Sequence, residues 1–462
     1  MKPSRQEHAA ADAATSTGEG IGVALARFAA SANPDRFPES ARQVLEMSLL
    51  DWFAVAVAGR NEPVSRIVRD LVLAEEGRRE CGVIGSDRRV PARAAALSNG
   101  TSSHALDYDD THFDYTGHPS AAVVPATLAL AERLSLDGRA FLDATLVGVE
   151  VACRLGAWLG PDHYQAGFHQ TATTGSFGAA AAACRLLRLT PQQTLHALGI
   201  AATRTSGLKS QFGTMGKPYH AGMAASNGVE AALLAAAGFV SRPDGLECEQ
   251  GFAQTHGGHC DDPQRILAGL GETFRFERVQ HKFHACCHAT HATLEALTEA
   301  RDAAGLRPDA IEAVTIVVHP KWQSVCNLPT PATGLEAKFS YRLTAAMVLN
   351  HVDTGSLDTF SDAICADQKM LALRDRVRVE TDPGMPDTAA RVRIARRGDT
   401  TLEAAHDLEQ PMPIAARQQR VARKATSLLG EHLAESLRTA IAALNEHDGP
   451  DGPSRLIAIA NA

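Results

Sequence analysis

The sequence is poor in aromatic residues and has no long apolar stretch. Phe, Trp and Tyr make up 5% of its 462 residues, and no apolar run approaches the roughly 20 residues that cross a bilayer. The first twenty residues are small and polar and lack the apolar segment of a secretory signal, so we expect a disordered tail over residues 1–20. These absences argue against a membrane protein and favour a globular, cytoplasmic one.

The sequence also lacks an excess of basic charge, a regular cysteine framework and internal repeats. Its net charge is −8, whereas a nucleic-acid-binding face requires clustered basic residues. The nine cysteines are odd in number and irregularly spaced, which indicates reduced thiols and not disulfides. The missing repeat argues against a solenoid. We therefore expect no nucleic-acid partner, and any anionic ligand requires a local cluster of cations.

Alanine is abundant, which favours helices that pack closely through small side chains. Residues 39–58 carry apolar side chains at helical spacing, and Gly59 is a stop signal. A further helix is predicted to begin after Thr190, with Pro191 at its first position and Gln193 completing a capping box. Helices should therefore dominate the first half of the chain.

The pattern changes after about residue 268. Partly alternating, β-branched segments there predict strands, and they surround further helices such as 341–349. The predicted strands lie at 311–320, 377–383 and 390–400. The helical pattern returns from Pro413 to Leu444.

These changes predict a mainly α protein with two domains. The larger is all-helical and is built from residues 21–267 and 405–462. The smaller is an α+β domain over residues 268–404.

Residues 104–120, HALDYDDTHFDYTGHPS, concentrate acids and histidines in one short segment. If residues 104–114 form a helix, one face carries Asp107, Asp110, Thr111 and Asp114, and Asp109 lies off that face. Gly117 and the following proline require that helix to end before His118. The alternative is a solvated acidic helix end.

A second alternative for this segment is a magnesium site. DDTHFD, residues 109–114, resembles the aspartate-rich motif of helical terpene synthases, and hard cations prefer carboxylate oxygens. Such an enzyme needs aromatic residues around its carbocation and a second metal motif. The scarcity of both argues against this class.

Two further segments carry candidate ligand-binding groups. His169 precedes a Thr/Gly-rich helix start whose backbone amides could hold a carboxylate, although a simple capped helix explains the glycines equally well. Lys217 lies in SQFGTMGKPYHAG, residues 210–222, which indicates a partly enclosed loop and not an ordinary surface lysine.

The segment 281–291, HKFHACCHATH, contains zinc-ligand residue types at poor spacing. Cys286, Cys287, His288 and His291 are candidate ligands, but adjacent cysteines rarely bind one zinc and no second pair follows. Alternatively, Lys282 and the histidines face an anionic ligand while the cysteines pack as small apolar groups. We predict no metal site here.

Together these segments resemble the MmgE/PrpD family, which includes 2-methylcitrate dehydratases, cis-aconitate decarboxylases and iminodisuccinate epimerase. The similarity runs over nearly the whole chain after the tail. The matching motifs, in family order, are LLDWFAVAVAG, NGTSSHALDYDDTH with GHPS, GFHQTATTGSFGAAAA, FGTMGKPYHAG, KFHACCHATH and EAKFSYRL.

The resemblance implies an active site between a helical domain and an inserted α+β domain, in a homodimer, with neither a metal nor an organic cofactor. The family site positions fall on Asp107, Thr111, His118, His169, Lys217 and Lys282.

One position departs from the family pattern. The decarboxylases have a tyrosine where this sequence has Leu343, and Tyr341 stands two residues earlier as a candidate replacement that contacts substrate. This departure argues against cis-aconitate decarboxylation. FGTMGKP, in turn, resembles the epimerase form.

The implied substrate is a small di- or tricarboxylate that loses a proton next to a carboxylate. We expect Lys217 and Lys282 to hold carboxylates, and Lys217 to assist catalysis as well. His118 and His169 are the acid/base candidates, Asp107 orients a histidine and Thr111 binds substrate.

The leading hypothesis is a cofactor-independent dehydratase of a 2-methylcitrate-like hydroxy acid. The alternative is an epimerase of an iminodisuccinate-like dicarboxylate. A non-catalytic binding protein of the same fold is a further possibility, against which the retention of these polar residues argues.

Overall fold

The computed structural model describes residues 19–257, 260–398, 401–445 and 452–462. Residues 1–18 of the predicted tail lie outside this part. Within it, no helix combines the length and the apolar character needed to span a bilayer.

Helices make up most of the described chain. They are α1 (Ile21–Ser31), α2 (Glu39–Ala58), α3 (Pro63–Ala74), α4 (Ala92–His104), α5 (Pro119–Leu134), α6 (Gly138–Gln165), α7 (Gln170–Leu186), α8 (Pro191–Arg204), α9 (Gly216–Ala236), α10 (Phe252–His256), α11 (Pro263–Leu267), α12 (His291–Ala304), α13 (Gln323–Cys326), α14 (Gly334–Ala337), α15 (Tyr341–Leu349), α16 (Asp362–Ala366), α17 (Gln368–Arg374), α18 (Ile414–Leu429), α19 (Glu431–Ala442) and α20 (Gly452–Ala460).

Several predicted elements are confirmed because their signals are local. Helix α2 has the predicted bounds and ends at Gly59. Helix α8 begins with a capping box. The Thr190 hydroxyl accepts from the Gln193 backbone N–H, and the Gln193 side-chain oxygen accepts from the Thr190 backbone N–H. Helix α15 also matches its predicted range.

The hypothesis of a helix over residues 104–114 is wrong. Helix α4 ends at His104, and Asp107 has a φ of +50°, which lies in the left-handed region. Distant parts of the chain bind this backbone: Lys282 Nζ donates to the Asp107 carbonyl at 2.6 Å, and Thr111 exchanges backbone hydrogen bonds with Gln280 at 2.8 and 2.6 Å. These tertiary bonds replace the helical ladder, so the acidic residues do not share a helix face.

The helical part is built around α5 and α7. Helix α7 packs against α5, α6 and α9, and α4 packs against α5 and α9. Nearly every residue of α5 and α7 is buried, as expected for helices that are apolar or small on all sides. The two helices therefore begin inside the molecule and not at its surface.

The strands form a hairpin and a four-stranded sheet. The hairpin pairs β1 (Cys81–Gly82) with β2 (Arg89–Val90). The sheet has the order β4-β3-β5-β6, with β3 and β4 parallel and the other pairs antiparallel. Its strands are β3 (Ile311–Val318), β4 (Val377–Thr381), β5 (Ala389–Arg396) and β6 (Leu402–Asp407).

Strand β6 was not predicted, because LEAAHD has little β-branched character. It forms because the longer strand β5 offers an unpaired edge. Helices α12 and α15 pack against this sheet.

Two apolar cores organise the molecule. The first contains side chains from α1 to Val279 and again from α18 to α20, so the C-terminal helices pack on the helical part, mainly on α2. The second begins at Ala285 and includes the sheet, with Val55 and Tyr108 contributed from the helical part. A division into domains at residues 268 and 404 stays a prediction. The segment between Val279 and Ala285 passes from one core to the other.

Candidate active site

A cavity of about 710 Å³ contains four of the predicted site residues in its wall: Thr111, His118, His169 and Lys217. Several other cations of the wall are paired with acids. These pairs are Arg275 and Arg278 with Asp114, Lys321 with Asp387, and Arg265 with Asp261. Lys217 is also paired with an acid, Asp107, but it shares that acid with the buried Lys282.

Three helix N-termini supply groups to this cavity. His118 is the N-cap residue of α5, with φ −115° and ψ 91°, and Pro119 occupies the first helical position. His169 is the N-cap residue of α7, and Lys217 follows Gly216 at the start of α9. The positive ends of helix dipoles favour anions. Two histidines and one lysine thus lie at helix starts, where the helix dipoles favour an anion.

Asp107 joins the two predicted lysines. Its carboxylate lies 2.6 Å from Lys217 Nζ and 3.0 Å from Lys282 Nζ, and its Oδ1 lies 3.5 Å from His118 Nε2. Burial alone would raise the pKa of Asp107, but the charges of the two lysines outweigh it and hold that pKa well below its usual value. The Lys282 side chain is 3% exposed and that of Asp107 is 42% exposed.

Asp109 binds two imidazoles, although the sequence motifs do not identify it as a site residue. Its carboxylate lies 2.9 and 3.0 Å from His104 Nδ1 and 3.0 Å from His118 Nδ1. Burial would raise the pKa of Asp109, but the two histidines hold it well below its usual value. His104 was not singled out at all. Its spacing of five residues from Asp109 in HALDYDD is the signal that was available.

His118 and His169 are both neutral near neutral pH. Burial lowers the pKa of His118 to about 4, and the Asp109 carboxylate opposes this shift in part. Burial, followed by the charges of His104 and Lys217, holds the pKa of His169 well below its usual value. A neutral imidazole has a free lone pair, so each can accept a proton.

His169 is also held by a partner that sequence reasoning missed. Its Nδ1 lies 3.2 Å from Nδ1 of His220, and its backbone N–H donates to the Gly207 carbonyl at 2.9 Å. The Phe212 ring packs against the imidazole edge-on, with centroids 4.9 Å apart. His220 stands in the quoted motif FGTMGKPYHAG, where Lys217 was the residue chosen.

Thr111 faces a histidine from the distant segment 281–291. Its hydroxyl lies 2.9 Å from His288 Nδ1, and the His288 ring stacks on Phe113 with centroids 5.2 Å apart. Both Thr111 and His288 are in the cavity wall. His288 is therefore an additional candidate, which the sequence presented within a zinc-like motif.

Tyr341 is buried, and its hydroxyl donates to the Ala289 carbonyl at 2.9 Å. Leu343 is buried as well. The residues that line the cavity do not include Tyr341 or Lys282 in the described part of the chain. Contact of Tyr341 with substrate stays a prediction.

Four side chains could approach a metal ion together: His104, Asp107, Asp109 and His118, whose ligand atoms lie within 4.8 Å of one another. The two ammonium groups on Asp107 oppose a divalent cation at that carboxylate, so the donor set does not fit a metal well.

The zinc-like residues of 281–291 have other partners. Cys286 Sγ lies 3.0 Å from the Thr290 hydroxyl, and His291 Nε2 lies 3.3 Å from the Cys286 carbonyl.

Comparison with known proteins places the sequence motifs in a wider context. A sequence model of the MmgE/PrpD N-terminal domain matches residues 23–263, and one of the MmgE/PrpD C-terminal domain matches residues 284–448. The two matches together include most residues of both apolar cores.

Among characterised relatives, the chain is similar to proteins named as decarboxylases. It is 33% identical over 298 residues to the cis-aconitate decarboxylase-like protein oryM of Aspergillus oryzae, covering 61% of this chain and 62% of the relative. It is 32% identical to the cis-aconitate decarboxylase of Aspergillus terreus, covering 60% and 59%. It is 30% identical to the human cis-aconitate decarboxylase, covering 64% and 63%. The chain spans about three fifths of the length of these relatives.

Proposed function

Because the chain belongs to the MmgE/PrpD family, we propose that it is a lyase acting on a small di- or tricarboxylate. The observation that carries the proposal is the convergence of Lys217, Lys282 and His118 on the Asp107 carboxylate. Two ammonium groups and three helix N-termini suit a substrate with several carboxylates. The proposal includes a homodimer and a cytoplasmic location, for which the support is the family resemblance and the sequence composition.

The proposed chemistry is the formation of an enolate-like carbanion next to a carboxylate. Lys217 and Lys282 bind the carboxylate, with Asp107 sharing the lysines and Thr111 adding a hydrogen bond. Each lysine–carboxylate interaction is about 4 kcal/mol at 4 Å and an effective dielectric near 20. A neutral His118 or His169 takes the proton and the imidazolium so formed can return it, which typically contributes about 10²- to 10⁴-fold.

Two lyase reactions fit this intermediate. In dehydration of a 2-methylcitrate-like hydroxy acid, a histidine removes the proton and the β-hydroxyl then leaves. In decarboxylation of a cis-aconitate-like acid, loss of CO₂ leaves the carbanion, which takes a proton from a histidine that has first been protonated from solvent. Relatives at 30–33% identity support the second reaction. Dehydration is supported by Leu343, which stands where the decarboxylases have a tyrosine.

Epimerisation is the second candidate function. It requires removal of a proton from one face of a carbon and its return to the other. The presence of His118 and His169 at two separate helix starts supports such a pair of proton-transferring groups, as does the motif FGTMGKP.

The reactions can be separated by incubating the enzyme in D₂O with cis-aconitate, 2-methylcitrate and an iminodisuccinate-like acid. A decarboxylase releases CO₂, a dehydratase forms an alkene that absorbs in the ultraviolet, and an epimerase exchanges the α-proton without a new alkene. Mass spectrometry and proton NMR record all three. Failure to convert any acid in a broad carboxylate panel would contradict the proposal.

Replacement of Lys217 tests the carboxylate-binding role. We expect Lys217→Met to lower kcat/KM on the true substrate by roughly 10²- to 10³-fold, which is the loss of one partly enclosed charge interaction. The control is Lys369→Met on α17, which removes the same charge from an exposed position. Equal activity of the two variants would remove Lys217 from the site.

A further inference from the structure

His104 and Asp109 form a buried couple behind the candidate acid/base residue His118. They are 1% and 0% exposed, and neither is in the wall of the cavity as the described residues define it. The His104 ring packs against that of His118 with centroids 4.5 Å apart and against that of His169 at 5.8 Å. The couple therefore contacts the proton-transferring residues and not the space where a ligand binds.

A buried carboxylate needs hydrogen-bond donors, because leaving its charge without them is strongly unfavourable. His104 supplies one, since its Nδ1 lies 2.9 and 3.0 Å from the two Asp109 oxygens. An imidazole nitrogen donates only when it carries a proton. His104 is thus protonated at Nδ1, and its Nε2 is buried without a hydrogen-bond partner in the described structure.

The contact between His118 and Asp109 indicates that the His118 ring is also protonated at Nδ1. Nδ1 of His118 lies 3.0 Å from Asp109 Oδ2, but the angle is too far from linear for a hydrogen bond, so the contact is electrostatic. An unprotonated nitrogen at this distance carries a partial negative charge beside a carboxylate oxygen and would be repelled by it. A proton on Nδ1 turns the contact into an attraction and leaves Nε2 unprotonated.

We propose that Asp109 is a positioning residue that fixes the tautomer of His118, with the proton on Nδ1 and the lone pair on Nε2. Nε2 lies farther from a carboxylate, 3.5 Å from Asp107 Oδ1, and two lysines already balance the charge of Asp107, so Nε2 can stay unprotonated. The inference rests on the proposed function insofar as it makes Nε2 the proton-transferring atom. When the substrate C–H bond breaks, its electron pair stays on carbon as the enolate and the proton goes to Nε2.

The same geometry gives His104 a supporting role. By binding both oxygens of Asp109, it holds the carboxylate in place beside His118. Asp109 also stabilises the imidazolium that forms after proton transfer, because it is the negative group in contact with that ring on the Nδ1 side.

The direct test is ¹⁵N NMR of protein labelled at its histidines, without any substrate. The chain has 19 histidines, and the His118 signals are identified by their loss in His118→Gln. We expect the wild-type ring to be protonated at Nδ1. A wild-type ring protonated at Nε2 would overturn the proposal, and this readout requires no variant of Asp109 to fold.

The variant Asp109→Asn tests the cause. Its amide can donate to Nδ1, so we expect the His118 proton to move to Nε2 and kcat to fall by roughly 10²- to 10⁴-fold, with a much smaller change in KM. The matched control is Asp110→Asn, an adjacent buried acid that binds Ser120 and makes no hydrogen bond or ion pair with His118 in the described residues.

The outcomes separate this inference from the proposed function. An Asp109→Asn variant whose His118 tautomer is unchanged contradicts the inference, whatever the enzyme's reaction. A correct tautomer in an enzyme that converts no carboxylate contradicts the proposed function and leaves the assignment of Asp109 intact.

Discussion

Asp110 is a carboxyl group enclosed in the protein directly after the histidine-binding Asp109. Its Oδ2 accepts from the Ser120 hydroxyl at 2.5 Å, and the residue is 1% exposed. Burial raises its pKa to about 7, and the hydrogen bond from Ser120 opposes the shift. The folded protein therefore retains a proton on Asp110 at pH values where the unfolded chain has released it.

This difference predicts a pH-dependent effect of Asp110→Asn. An unfolded aspartate ionises near pH 3.9, so Asp110 weakens folding progressively between about pH 4 and pH 7. The variant removes this penalty. We expect its gain in unfolding free energy over wild type to be larger at pH 8 than at pH 4, by up to about 4 kcal/mol. Urea denaturation at both pH values measures the gain, and an equal effect at the two would refute the prediction.

Close helix packing operates at the scale of the element. A Cβ added at Gly178 in α7 would lie 2.5 Å from the Gly148 carbonyl oxygen, and one added at Gly148 in α6 would lie 2.7 Å from the Gly178 carbonyl oxygen. Both obstacles are backbone atoms, which cannot rotate away. The two glycines therefore set the distance between α6 and α7, and α7 begins at the cap residue His169.

We predict that Gly178→Ala destabilises the protein by about 1–3 kcal/mol, because the helices must separate. Thermal unfolding measures the change. The control is Gly384→Ala, since a Cβ there would meet a flexible Asp382 side chain at 3.3 Å and no backbone atom. If both variants melted at the same temperature, the proposed close contact would not limit the packing.

Elements differ in how much of them the sequence could predict. Helices α2 and α8 were predicted because a stop glycine and a capping box act within a few residues. The end of α4 at His104 was not, since it depends on bonds from Lys282 and Gln280 to residues 107–111. Strand β6 likewise has a weak sequence pattern, and it forms by backbone pairing with the edge of β5.

At the scale of the whole molecule, a buried ion pair connects α18 to α2 and contacts the backbone at Tyr108, next to the site residues. Lys424 Nζ of α18 lies 2.6 Å from Asp51 Oδ1 of α2 and also donates to the Tyr108 carbonyl at 2.5 Å. The two side chains are 2% and 1% exposed. This pair therefore connects helix α18 to the backbone immediately before Asp109.

We expect Lys424→Met to lower the unfolding free energy by about 3–5 kcal/mol, because Asp51 is left buried without a countercharge. Addition of Asp51→Asn should recover part of the loss, since it removes the uncompensated charge. Chemical denaturation of the single and double variants measures both effects. For comparison, Arg438→Met breaks an exposed pair with Glu435 and should change stability by less than about 1 kcal/mol. A double variant no more stable than Lys424→Met would contradict this explanation.

The membership of the candidate site was more predictable than its geometry. Asp107, Lys217 and Lys282 were identified from motifs, but their contact depends on a fold that brings residues 175 positions apart within 3.0 Å. His104, His220 and His288 were missed as site residues because each acts through a partner whose position only the folded chain reveals. Sequence motifs indicate residue types, and hydrogen-bond partners emerge from packing.

The carboxylate of Asp107 has a consequence for the resting enzyme. It acts as a built-in counterion, since it already occupies both ammonium groups before any acid arrives. Small inorganic anions from the surrounding solution must compete with the Asp107 carboxylate, which the chain holds in place, so their binding is only weakly favourable. A molecule with several carboxylates can displace Asp107 from one lysine while its second carboxylate stays bound to the other. This arrangement favours ligands with two or more negative charges over ligands with one.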